Sequence, residues 1–144
     1  MRAKYAGREW VMERQVLPLG KLWNDVIHLA PVHPFQIMLS IQALGVPVAD
    51  RRWFQIPVER IAHLPAMYLV PPPEPRPFRL DDFKPFSPGD YRELEAMPPE
   101  ALESNRTLVP QGLRPLIMNR TLHVLVDGDI NVSGLPVLSW LDRA

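Results

Sequence analysis

Histidine is the side chain most often recruited for acid–base work or metal binding near neutral pH, and this chain carries four: His28, His33, His63 and His123. No two of them stand at the i,i+4 spacing of a zinc-binding helix. His28 and His33 straddle Pro31, which interrupts any single element that would aim both rings at one ion. Asp25 lies three residues before His28, so Asp25, His28 and His33 are the set that a small-molecule active site would have to gather. An ordinary surface pair of Asp25 with His28 explains the same spacing. Serine never stands in a Gly-x-Ser-x-Gly elbow, and the glycines never cluster into a phosphate cradle. With no cysteine there is no thiolate chemistry, no disulfide and no thiolate-held metal. No catalytic residue, cofactor or metal ligand is assigned, and the chain is not expected to be an enzyme.

Two further stretches invite a chemical reading. From Asp127 to Leu138, the alternation of Asp127, Asp129, Asn131 and Ser133 is similar to a calcium loop. Val132 stands where the sharp-turn glycine belongs and Leu138 where a bidentate glutamate should close the shell, so a turn between strands is the expected role. The stretch from Ile41 to Gln55 resembles a helix-turn-helix, with Gly45 in the turn and Arg51, Arg52 and Trp53 on a would-be second helix. Those arginines would reach phosphates or guanine edges in a small nucleic-acid-associated or transcription-modulating protein. Pro47 and the strand-like Trp53 to Ile56 oppose that reading.

Charge opposes it too. Sixteen basic residues balance sixteen acidic ones, leaving no field to draw in nucleic acid or an anionic membrane. The first residues contain no apolar signal core, and no apolar run approaches the ~20 residues that cross a bilayer. A virion or the cytoplasm, and not a membrane or the secretory route, is the expected location. The length of 144 residues fits one domain with a substantial core. Proline is the departure: 18 residues, against a usual ~5% of a chain.

Positioning elements follow from periodicity. Residues 3–16 read as an amphipathic helix ended by Pro18, and Lys21 to Ala30 as a short core helix with Leu22, Val26 and Leu29 on one stripe. The clearest helix starts at Pro34 and runs to Leu44, with Gly45 just past its end. Arg52 to Ile56 and Ala66 to Val70 read as strands, with a helical turn opened by Pro57 between them. Ser87-Pro88-Gly89-Asp90 opens a further helix through Tyr91 to Met97, and Pro99 to Ser104 adds a turn or two. A hairpin is expected about Asp127-Gly128, with Val126 opposite Ile130 and Val124 opposite Val132. The fold class is therefore α+β in one small domain: a mainly helical part over 1–69, an extended proline-rich strap over 70–88, and a helix plus C-terminal hairpin of a small antiparallel sheet over 89–144.

The strap carries the functional expectation. Seven of its nineteen residues are proline, so neither a helix nor a central strand passes through it. A segment stiffened in this way loses little freedom on docking. Phe78, Phe83 and Phe86, set among Arg76 and Arg79, form a mixed face suited to another protein chain. The competing expectation is that the three rings complete the chain's own core. By elimination, the chain is expected to be a structural or assembly subunit of a larger, oligomeric protein complex, such as a bacteriophage head, connector or tail component.

Overall fold

The computed structural model describes residues 14–74 and 76–143. Numbered along the chain, the strands are β1 (Gln15–Val16), β2 (Lys21–Leu22), β3 (Ile27–Leu29), β4 (Arg52–Phe54), β5 (Ala66–Leu69), β6 (Phe83–Pro85), β7 (His123–Val126) and β8 (Val137–Ser139). The α-helices are α1 (Pro34–Gln42) and α2 (Pro99–Leu108). Helices thus mix with antiparallel sheets, but one helix falls in each half of the chain.

The organising strand is β7, an unbroken run whose four residues are all buried. A strand buried on both faces is stable only with neighbours on both edges, and β3 and β5 supply them. With β6 outside β5, the antiparallel order is β3-β7-β5-β6. Side chains alternate between faces. Leu125 joins Leu69 and Phe83 on one face, covered by Val16, Leu19 and Trp23 around the β1–β2 hairpin. Val124 and Val126 face the other way, onto Ile61, Tyr68 and Phe86. Burying Leu69 and Leu125 contributes about 1.5–3 kcal/mol apiece.

A separate core cluster joins the helices to the β4–β8 ribbon: Ile37, Met38 and Ile41 of α1 meet Ala101 of α2 and Trp140 beyond β8. Pro34 takes the first position of α1, where its missing N–H costs nothing, and the His33 Nδ1 accepts the Phe35 N–H at 3.1 Å. The helix ends at Gln42, two residues short of the expected Leu44, and the turn that follows closes at Gly45, whose φ of +78° redirects the chain. In α2 the buried Asn105 exchanges two hydrogen bonds with the Leu116 backbone, at 2.9 and 3.0 Å, and so fixes the route to β7.

Four expectations are corrected. The expected helix over 3–16 lies mostly outside the described residues, and its end, Gln15–Val16, is strand. Lys21 to Ala30 forms β2, a 3₁₀ turn at Trp23–Asp25 and β3, because Ile27 to Leu29 gains more from pairing with β7 than a short helix could provide. Tyr91 to Met97 is not helical: Ser87 and Pro88 open a single 3₁₀ turn, Leu94 bonds the Pro31 carbonyl at 2.7 Å, and the helix starts late, at Pro99. The C-terminal hairpin does not form. Residues 127–136 are a loop, and β8 pairs with β4 while β7 is occupied on both edges. In the strap, the described residues before Leu80 are irregular, Leu80–Asp82 make a 3₁₀ turn, and the chain then joins the sheet edge as β6.

Candidate functional site

Three places collect the side chains singled out by the sequence. In the strap, Arg76 forks onto Asp82 with two hydrogen bonds of 2.8 Å, and the Arg79 N–H adds a third at 2.7 Å. The Arg76 hydrogen bond holds the Asp82 carboxyl below the ordinary carboxylate range, against the opposing effect of burial. Arg120 reaches across from the far side of the chain to donate to the carbonyls of Pro72 and Pro73. Its backbone sits at φ 51°, uncommon for a long side chain. The strap is thus clamped at both ends of its proline run.

The rings of the strap point inward. Phe83 is buried beside Leu69, and Phe78 meets it edge to face at 6.0 Å. Phe86 packs on Tyr68 at 5.1 Å, on the opposite face of the sheet. Phe83 is thus fully within its cluster, while Phe78 and Phe86 are half-buried against theirs. The large apolar side chains that the strap leaves exposed are Val70 and Leu80, the latter 66% exposed.

The second place is the ribbon. Arg51, Arg52 and Trp53 lie on or beside β4, so the helix needed for a helix-turn-helix is not formed. Trp53 packs into the helical cluster, 6.5 Å from the Trp140 ring, and its buried indole N–H lacks a partner among the described residues. Arg51 lies 5.2 Å above Trp140, and the Arg52 Nε bonds Asp50 at 2.8 Å. Asp50 also accepts the Ser139 hydroxyl, which pulls its carboxyl down from the ordinary range. The two arginines are therefore engaged locally. On the other face of the ribbon Phe54 and Val137 stand directly opposite each other, 53% and 50% exposed.

Among the described residues, the backbone of that ribbon has an open side. Gln55 N–H bonds the Pro136 carbonyl and Trp140 N–H the Arg51 carbonyl. By alternation, Arg51, Trp53 and Gln55 bond inward while Arg52 and Phe54 turn their N–H and C=O to the outer edge of β4. The edge of β8 is less open: Ser139 is buried and its carbonyl accepts the Asp142 N–H. The outer edge of β6 carries Lys84 and Pro85, the residues that discourage strand addition.

The third place is a nest of rings around His123. Its Nδ1 lies 2.7 Å from the Thr121 carbonyl and so must be the protonated nitrogen. Burial pushes its pKa down to about 4. Trp23 and His28 approach its ring at 5.4 and 5.7 Å. His28 thus meets His123 and Trp23, while His33 caps α1 and Asp25 is exposed, so the Asp25, His28 and His33 set is not assembled. Among the described residues no three metal-ligating side chains converge. In the calcium-like loop, the Asn131 side chain accepts the Ser133 N–H and its carbonyl accepts Arg60. Also among the described residues, no helix is long and apolar enough to cross a membrane.

Sequence reasoning missed Asp50, Phe54 and Val137 because their roles depend on a pairing 83 or more positions apart in the chain. One signal was present: Val137, Leu138 and Trp140 make a short apolar run directly after Pro136, which suits a strand. No family model, curated protein or solved structure matches this chain.

Proposed function

We propose that the protein is a non-catalytic structural or assembly subunit of a larger protein complex, of the kind found in a bacteriophage head, connector or tail. The observation that supports this reading is the β4–β8 ribbon. The ribbon packs one face on the helices and sets on the other an exposed Phe54 opposite an exposed Val137, beside a strand edge that no other strand of the described residues pairs with. Edges and apolar pairs of this kind are normally covered or charged. The clamped strap suits the same role, because a surface already rigid loses little entropy on association. Nothing in the ribbon favours nucleic acid, since Arg51 and Arg52 are taken up by Trp140 and Asp50.

The test is the mass of the protein drawn gently from its natural source, read by light scattering. A stoichiometric assembly well above the 16.5 kDa of one chain is expected. A particle of single-chain mass, with no co-purifying protein at fixed ratio, overturns the reading.

A further inference from the structure

We propose that β4 is a self-association edge: two copies of this chain pair β4 with β4, antiparallel, about a two-fold axis through Trp53. The result is one sheet ordered β8-β4-β4-β8. This rests on the assembly reading and names its partner.

The backbone selects the register. The outward-turned residues Arg52 and Phe54 flank Trp53. An axis at Trp53 therefore makes Arg52 of one copy and Phe54 of the other a hydrogen-bonded pair, twice over, with every bond inside the strand. An axis at Arg52 sets two guanidinium groups opposite each other, which is repulsive. An axis at Phe54 asks Ile56, which lies beyond the strand in the sheet core, to act as a pairing residue just before Pro57. Only the Trp53 register avoids both faults.

Side chains support the same register. Across the axis, each Arg52 guanidinium lies beside the exposed ring of the other copy's Phe54, a cation–π arrangement. Asp50 already neutralises Arg52 within each copy, so joining the two edges brings no net charge together. The self-complementary contact is isologous and closes at two copies. With three paired residues a side, it falls short of the ~1,200–2,000 Å² of a stable complex, so it is weak alone and tightens where many copies are held together.

Sedimentation equilibrium from about 10 µM to about 1 mM tests the proposal. Wild type is expected to approach dimer at the upper end. Phe54→Arg places arginine opposite Arg52 at both symmetric positions and should weaken dimerisation about tenfold or more. The double change Arg52→Glu with Phe54→Arg sets opposite charges face to face only in the Trp53 register, and should restore most of the loss. Position 54 is half exposed, and thermal melts verify that both variants fold. A wild type that stays monomeric, or a double variant that fails to recover, overturns the proposal. If the chain is monomeric but Phe54→Arg abolishes its binding to a different protein in the native assembly, the second-copy proposal is overturned while the assembly reading stands. A wild type that neither self-associates nor belongs to any native assembly overturns the two together.

Discussion

Acid should destabilise this protein well above the carboxylate range, through one ring. Burial lowers the pKa of His123 from an ordinary 6.5 to about 4. A lowered folded pKa means that the neutral form is the native one. Above pH 6.5 neither state binds the proton and the full stability is present. Between pH 6.5 and 4 the unfolded chain takes up a proton that the folded chain refuses, so stability falls as the pH drops. Each unit costs about 1.4 kcal/mol, and the whole window about 3 kcal/mol. Asp82 and Asp50, whose carboxyls are held low, add losses only at still lower pH. The assay is urea unfolding at intervals between pH 7.5 and about 4.5, with the slope of stability against pH as the readout. His123→Leu removes the titrating group; its absolute stability shifts with the lost Thr121 hydrogen bond, but its slope in this window should flatten by nearly one proton. A wild-type slope near zero, or an unchanged slope in the variant, refutes the assignment of His123 as the buried titrating group.

Other substitutions probe the core and the clamps. Phe83→Ala should cost about 3–5 kcal/mol in urea unfolding, because the ring is buried in one cluster with Leu69 and Leu125; an unchanged isolated protein with lost assembly would instead make the ring an interface anchor. Asp82→Ala leaves Arg76 without its carboxylate and should cost about 2 kcal/mol, with proteolytic cleavage appearing first within residues 70–88; a strap that stays as resistant as before contradicts the clamp. Arg51→Ala combined with Arg52→Ala should leave duplex DNA binding unchanged, whereas a binding slope against salt flattened by about two units would restore the nucleic-acid reading.

The elements legible in the sequence were those marked by punctuation. Pro34 and Gly45 bracket α1, and the aromatic residues of β4 and β5 stand between prolines. Illegible were the elements decided at a distance. Ile27 to Leu29 carries an apolar pattern that suits a helix or a strand, and only the presence of β7 settles it. The turn signal Asp127-Gly128 is genuine, yet β7 already has β3 and β5 on its edges, so the chain passing that turn goes to β4 instead. The strap's rings were legible as anchors but not their direction, which depends on Leu69 and Tyr68 lying beneath them. At the ribbon the arginines drew notice by their charge. The exposed pair Phe54 and Val137 did not, because exposure is a property of the folded chain.

Residue-resolved hydrogen exchange across a range of protein concentration tests the central claim most directly. The Trp53 amide, bonded inward to β8, is the internal control, and the outward amides of Arg52 and Phe54 are the reporters. Assembly through the β4 edge predicts that the two reporters slow as concentration rises while Trp53 holds constant. Reporters that exchange at the unprotected rate at every concentration, and equally fast in the native assembly, contradict it.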